Sequence, residues 1–532
     1  MPSDCITYQK SGYFTKLIID YLDEKPELNS LYNRFPKLEN FKEQIEEKSF
    51  NLNNNNNSKR EVLVSELEKQ YANFEVSNAT KNHIKLLNSS NTFTVTTGHQ
   101  LNLFTGPLYF IYKIISTINL CKQLKKEYPN HDFVPIYWMA TEDHDFEEIN
   151  YFNFKNKKIQ WKRESSGPVG RLSTEGLKEV LSQFSNEVGT SENANYLKEL
   201  FEKSYLNHSN LADATRYLAN ELFKEEGLVI LDGDSVALKK TFVPYVKEEL
   251  LHQTSFQKVT ETASQLTDYK IQVNPREINL FYIEDTLRER IILENGIYKV
   301  NNTNKTFTET EILAELENHP EKFSPNVILR PLYQEVILPN LCYIGGGGEL
   351  AYWLELKSNF DANNVTFPML LLRNSVVTTT AKQVEKADKL ELSYADLFAN
   401  QQELFDQKTK EFSKFTIDFS EQKEALKKQF EALYTIANQT DKSFSGAVKA
   451  QEIKQIKGLE NLEKRLLRAE KRIHKDRLQR ILVLQNEIFP NQSLQERKAN
   501  FSEFYLEYGD TFLKKILSEL KPLDQEFKVI TL

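Results

Sequence analysis

Residues 92–150 constrain this chain more than any other stretch, because they read as strand, turn, long helix, strand and acidic turn in unbroken succession. Thr92-Phe93-Thr94-Val95-Thr96-Thr97 is β-branched and aromatic, the composition of a strand. Gly98-His99-Gln100 breaks it and Thr105-Gly106-Pro107 forms a second turn. Pro107 suits a first helical position, which needs no amide donor. Residues 108–124 are largely apolar, then turn basic at Lys122, Lys125 and Lys126, where cations suit the negative end of a helix dipole. Val134-Pro135-Ile136-Tyr137-Trp138-Met139-Ala140 is the continuous apolar run of a buried parallel strand. It stops at Thr141-Glu142-Asp143-His144-Asp145. The stretch predicts a βαβ unit with polar groups where both strands end, and open parallel sheets bind ligands along that edge.

At 532 residues the chain is too long for one core. Residues 227–231, ending in Asp232-Gly233-Asp234, and residues 369–372, capped by Arg373-Asn374, add buried-strand signals, and residues 327–335 and 342–344 return the chain to the same core. The α/β core therefore spans residues 1–380. It is interrupted by a helical insertion at about 155–225 and an α+β insertion at about 236–326. The second insertion holds a helix-like segment opening at Pro244. It also holds short strands at 290–293 and 297–300 around Asn295-Gly296, a pair that tolerates the positive φ of a tight hairpin. Residues 1–90 read as helical and polar, with the asparagine run at 53–57 as a surface loop.

Residues 381–488 shift to Glu, Lys, Gln and Leu. Leu426, Phe430, Leu433 and Ala437, then Leu459, Leu462, Leu466, Ala469 and Ile473, follow the alternating three- and four-residue spacing of a coiled-coil seam. The phase slips after Ile473, a polar break over 438–446 predicts an antiparallel hairpin, and Phe489-Pro490 stops the second helix. Residues 489–532 are expected to pack back on the core. The net charge of -8 gives no support for nucleic-acid binding. No run approaches the ~20 apolar residues of a membrane span. The first residues lack a secretory pattern, and three cysteines make no disulfide framework, so a cytoplasmic protein is expected.

Four groups of residues carry candidate chemistry. Glu142-Asp143-His144-Asp145 could orient a base, grip an amine, hold a divalent ion, or simply cap a helix N-terminus. His99 at a strand-to-helix turn could donate to a phosphate or carboxylate, or bond to loop carbonyls. Gly345-Gly346-Gly347-Gly348 before Glu349 could form an anion nest or allow two segments to approach closely; it is neither a Walker loop nor a dinucleotide fingerprint. Arg330 and Arg373 are candidate forks for carboxylate or phosphate, or strand-edge surface charges. Cys342 and Cys121 read as small buried hydrophobes.

Thr97-Gly98-His99-Gln100, Thr105-Gly106-Pro107 with Tyr112-Lys113, Val134-Pro135 to Trp138 with Glu142 to Phe146, and Arg330-Pro331 to Gln334 with Gly345, Gly346, Glu349, Ala351, Tyr352 and Trp353 together resemble the bacillithiol-biosynthesis family BshC, cysteine-adding ligases. The resemblance covers essentially the whole chain. It implies a Rossmann-like core with two connecting-peptide insertions and a coiled coil that forms a homodimer. It also implies the last step of bacillithiol synthesis, joining cysteine to the amine of glucosaminyl-malate. The core is similar to that of class I aminoacyl-tRNA synthetases, although no HIGH or KMSKS signature is present. ATP or another nucleotide with Mg2+ is the expected activating cosubstrate, with no tightly bound cofactor, resident metal, nucleic acid or membrane partner. The resemblance makes His144, Asp143 and His99 the catalytic candidates. The expected substrate-binding residues are Gln100, Asn102, Thr105, Gly106, Glu142, Asp145, Arg330, Gln334, Gly345 to Gly348, Glu349, Tyr352 and Arg373. A nucleotidyl transferase or synthetase-like enzyme acting on a different acid, and a coiled-coil scaffold without catalysis, are the alternatives.

Overall fold

The structure is a computed structural model that describes residues 5–54 and 58–532. Five strands form the central sheet: β1 (Thr92–His99), β2 (Asp132–Met139), β3 (Val229–Asp232), β4 (Asn340–Gly345) and β5 (Met369–Leu372). They lie in the order β3-β2-β1-β4-β5, every neighbouring pair parallel. The chain winds outward from β1 to β3 and then returns to lay β4 against the other side of β1. This is the doubly wound, Rossmann-like order, and its switch point lies between β1 and β4.

Alternation along each strand explains why both faces are covered. Phe93, Val95, Phe133, Cys342, Ile344, Met369 and Leu371 share one buried cluster, whereas Val134, Ile136, Trp138, Tyr343 and Leu370 join the larger core. Three threonines of β1 are spent between strands: Thr94 and Thr96 both donate to Asn340 Oδ1, at 3.2 and 2.8 Å, and Thr97 donates to the Ile344 carbonyl at 2.7 Å. Helix α1 (Tyr109–Glu127) crosses from β1 to β2 with Lys125 and Lys126 in its last turn. Before it, Phe104, Thr105 and Gly106 all have positive φ. The Asn500 side chain holds this turn by donating to the carbonyls of Phe104 and Gly106, at 2.8 and 2.6 Å.

The first insertion opens with a hairpin, Tyr151–Phe154 and Lys157–Gln160, and continues in the helices Leu177–Val188, Glu192–Tyr205 and Leu211–Phe223. In the second, Ser235 caps a helix Val236–His252 with Pro244 in its interior, so the helix starts eight residues before the proline expected to open it. Its five strands form an antiparallel sheet that includes Leu280–Glu284 and Leu287–Glu294, and Asn295 and Gly296 take the positive φ their turn requires. Arg330 lies in the first turn of helix α2 (Leu329–Ile337), not at a strand edge. Gly345 closes β4, Gly346 precedes helix α3 (Gly347–Trp353), and none of the four consecutive glycines has positive φ. A nest needs an alternation of right- and left-handed residues, so the run is not one. It is a close approach: a Cβ on Gly345 would sit 2.8 Å from Leu350 Cδ1.

Helices α4 (Ser420–Ala437) and α5 (Lys442–Ile473) form the hairpin. Tyr434 donates to Glu452 at 2.8 Å and Lys423 pairs with Glu463 at 2.9 Å; stepping back along α4 is matched by stepping forward along α5, so they run antiparallel. The polar break contracts to residues 438–441, because Asp441 accepts from the Ser443 amide and restarts the helix. Phe430, Ala437 and Val448 fill the seam, but Leu433 and Leu462, expected there, are exposed. The helix breaks at His474, where the repeat slips, and resumes as α6 (Lys475–Ile488). A three-stranded sheet unforeseen in the sequence ties both ends together: Glu526–Thr531 lies antiparallel to Cys5–Thr7 and parallel to Ser375–Thr379. The asparagine run expected as a loop continues the helix Phe41–Asn54, and its residues 55–57 lie outside the described residues. No helix among the described residues is long and apolar enough to cross a membrane.

Candidate active site

At the switch point the carboxyl ends of β1 and β4 diverge, and a cavity of about 680 Å3 opens there. Its core wall is built from Gly98, His99 and Gln100 at the end of β1, Glu142 and Asp143 after β2, Tyr343 on β4, Lys113 on α1, Arg330 on α2, and Glu349 and Tyr352 on α3. The second insertion supplies the opposite wall with Asn274, Arg276, Phe281, Arg288 and Arg290.

Gly98 lets the centre of the core wall close. A Cβ there would lie 3.1 Å from Tyr343 Oη, tighter than a side chain packs comfortably, and in ordinary contact with Arg330 Nη1 at 3.8 Å. Lys113 donates to the Gly98 carbonyl and to both oxygens of Glu349, at 2.7 and 2.8 Å, while Tyr343 Oη donates to Glu349 Oε2 at 2.7 Å. Burial pulls the Lys113 pKa down. Burial opposes ionisation of Glu349 too, but the ammonium of Lys113 holds its carboxyl below the usual range, so the two form an ion pair at neutral pH. Arg330 donates to Gln334 Oε1 at 3.0 Å and to Tyr352 Oη at 3.4 Å, and has no carboxylate partner among the described residues.

His99 is only 8% exposed, wedged between Tyr109 and Phe110, and its Nε2 has no hydrogen-bond partner. Burial, then the charges of Lys113 and Arg373, push its pKa well below the ordinary imidazole value. The ring is neutral at pH 7, and the same burial and charges oppose its protonation.

At the acidic corner each expected residue has a different fate. Glu142 pairs with Lys239 at 2.5 Å, and Lys239 also reaches Asp234, which Arg171 grips with Nε and Nη2 at 2.7 and 2.9 Å. Asp143 faces the cavity; burial opposes its charge, but His144, Arg288 and Gln100 hold its carboxyl well below the usual range. His144 stands half exposed at the rim, with Nδ1 accepting from Arg288 Nη1 at 2.6 Å. Asp145 is exposed and gives no side-chain cap to the short helix Phe146–Ile149.

The structure thus gathers His99, Gln100, Glu142, Asp143, Arg330, Glu349 and Tyr352 around one cavity, with Gln334 behind Arg330. Asn102 and Gly106 line an adjoining chamber of about 300 Å3 that shares Gln100 and Tyr109 with the first, and Thr105 is buried beside it. Gly345 to Gly348 place α3 but do not line the cavity. Arg373 does not line it either: its guanidinium is buried on Glu496 at 2.7 Å and on Ser375 and the Asn374 carbonyl, so it is no open fork. Lys113, Arg276, Arg288 and Arg290 were missed as site residues. Arg288 and Arg290 carry one usable signal, two cations on the same face of a strand. Burial pushes the Cys342 and Cys121 thiols up, as for small hydrophobes.

Two family models match the chain: the N-terminal Rossmann-like domain of bacillithiol biosynthesis BshC over residues 1–374, and its C-terminal coiled-coil domain over residues 376–532. A protein of Flavobacterium johnsoniae is 66% identical over the full length of both chains. One of Christiangramia forsetii is 57% identical over 100% of this chain and 99% of its own. One of Bacillus cereus is 28% identical over 97% and 98%. All three carry the description "Putative cysteine ligase BshC".

Proposed function

The chain belongs to the BshC family of bacillithiol biosynthesis, and on that footing we propose that it joins the carboxyl group of cysteine to the amine of glucosaminyl-malate through an amide bond. The observation that carries this reading is His99. Amide formation from an amine releases a proton, and His99, a neutral imidazole that lines the cavity and keeps a buried, unpartnered Nε2, is the group assigned to receive it, as a weak base that a seated substrate must approach closely. The role moves here from His144, whose Nδ1 lone pair already accepts from Arg288. Asp143, ionised and facing the cavity, suits the substrate ammonium before it loses its proton; Glu142 is already satisfied by Lys239.

A carboxylate does not acylate an amine unaided in water. ATP with Mg2+ would supply the leaving group for the cysteine carboxyl, and the unpaired Arg330 at the switch point suits its phosphates. The hairpin's outer face exposes Leu433, Ile436, Phe444, Ile453 and Leu462, and a second copy covering that face would make a homodimer. The setting of this chemistry is the cytoplasm.

The test is to incubate purified protein with cysteine, glucosaminyl-malate and ATP·Mg2+ and look for bacillithiol by mass spectrometry, alongside the thiol profile of a deletion strain. The expected result is product in the tube and glucosaminyl-malate accumulating in the strain. An unchanged bacillithiol pool in the strain refutes the assignment. ATP–pyrophosphate exchange driven by another acid and not by cysteine would favour the synthetase-like alternative.

A further inference from the structure

The core wall of the cavity and the insertion wall differ in how their charges are met. On the core wall Lys113 answers Glu349, and Lys239 answers Glu142. On the insertion wall Arg276 and Arg290 have no side-chain hydrogen bond or carboxylate partner among the described residues. Arg288 is the informative one. Its side chain is 8% exposed and lies over the Phe281 ring at 4.0 Å, and Nη1 alone is engaged, by His144 at 2.6 Å and Asp143 at 3.5 Å. Among the described residues Nε is buried without a partner, and Nη2 makes no hydrogen bond. Nε and Nη2 form the edge of a guanidinium that grips a carboxylate with two parallel bonds. Leaving such an edge buried and unmet is costly, and unlike the buried Nε of Arg216 and Arg373 this one belongs to a side chain lining a cavity that a ligand can enter.

Resting on the cysteine-ligase reading, we infer that Arg288, Arg290 and Arg276 of the second insertion form the site for the malyl group of the acceptor, reading its two carboxylates. Arg288 and Arg290 stand two apart on the strand Leu287–Glu294, so both present to one face with Cα atoms about 7 Å apart. Adjacent carboxylates can each take one fork at that spacing. A nucleotide's phosphates share the anionic chemistry, but the places where a doubly wound sheet receives them, the switch point and the helix N-termini beside it, are on the opposite wall. The acceptor's amine, at the far end of the same molecule, then points across the cavity toward His99. The inserted sheet thus selects the acid-bearing substrate and the core performs the transfer.

The probe is free L-malate, titrated calorimetrically into the full-length protein, with ATP·Mg2+ in a parallel titration. Wild type is expected to bind malate; Arg276→Gln/Arg290→Gln and, separately, Arg288→Lys, which keeps the charge but loses the fork, are expected to weaken it about tenfold or more. ATP binding is expected to be unchanged, and circular dichroism checks that each variant is folded. In turnover the same variants should raise KM for glucosaminyl-malate and leave KM for cysteine alone. No malate binding by wild type, equal binding by the variants, or a matching loss of ATP binding overturns the inference. Malate binding that depends on these arginines in a protein that makes no bacillithiol keeps the inference and removes the ligase reading.

Discussion

Cutting the Lys113–Glu349 pair from either side should have unequal consequences, and the inequality can be worked from exposure. The Lys113 side chain is 2% exposed and that of Glu349 28%, with its open edge toward the cavity. Lys113→Met leaves a carboxylate that keeps the Tyr343 hydroxyl, the Gly346 amide and cavity water, so the expected loss is about 1–2 kcal/mol. Glu349→Gln leaves an ammonium with little water, and stranding a buried charge costs about 3–5 kcal/mol. The ammonium can escape by losing its proton, but from an ordinary value near 10.4 that costs about 4–5 kcal/mol at pH 7, so both routes give the same size. The second route has a signature. A lysine neutral when folded and charged when unfolded makes the unfolded chain bind the extra proton, so stability rises with pH. The Glu349→Gln deficit should therefore shrink by about 2–3 kcal/mol between pH 7 and 9, whereas the Lys113→Met deficit should not. Urea unfolding followed by tryptophan fluorescence is the assay, since Trp138, Trp161 and Trp353 all lie in the Rossmann-like half. The double variant should fall close to Lys113→Met alone. Equal losses from the two single changes, or no recovery at pH 9, would refute the reasoning.

His99→Ala should lower kcat by about 10²–10⁴-fold in a protein that still folds. Because His99 titrates well below 6.5, the acid limb of the wild-type kcat/KM profile due to this group should also lie well below 6.5; a limb near 6.5 that vanishes in His99→Ala would contradict its burial. Arg373→Ala should cost about 3–5 kcal/mol of stability by stranding Glu496 in the interior, and leave substrate KM values little changed in whatever fraction folds. Gly106→Ala, which forces a Cβ to 2.5 Å from Asn102 Cβ at φ +61, should destabilise by more than about 1–2 kcal/mol in the same unfolding assay. Leu433→Glu/Ile436→Glu should give a monomer by light scattering if the hairpin's outer face pairs two copies; a persistent dimer places the interface elsewhere.

What was legible in the sequence was local. The βαβ unit could be read because periodicity, Pro107 and the acidic stop act within one stretch, and the Asn295-Gly296 hairpin because two residues settle a turn. The slip after Ile473 foretold the break at His474 for the same reason. What escaped depended on partners far along the chain. Arg373 reads the same alone whether it meets a substrate or Glu496, 123 residues later. The sheet of Cys5–Thr7, Ser375–Thr379 and Glu526–Thr531 needs three short segments from distant parts of the chain, and no local pattern shows that they pair. Lys113 looks like an ordinary helix lysine until β4 brings Glu349 and Tyr343 beside it.

The same distinction explains how a site forms from so many charges without collapsing into internal pairs. Around the cavity, Glu349, Glu142 and Asp234 each have a cation delivered by a fixed element: Lys113 from α1, Lys239 from the helix after β3, Arg171 from the first insertion. Those pairs set the shape of the wall, and having met each other they have little left to give a ligand. Binding energy must come from groups the fold leaves without a partner or an opposite charge: His99 Nε2, Arg330, the free edge of Arg288, and the guanidinium groups of Arg290 and Arg276. Except for His99 and Arg330, these sit on the second insertion. Removing that insertion would take Lys239 from Glu142 and leave Arg330 as the cavity's remaining arginine, so substrate choice in this chain depends on a segment that interrupts the sheet.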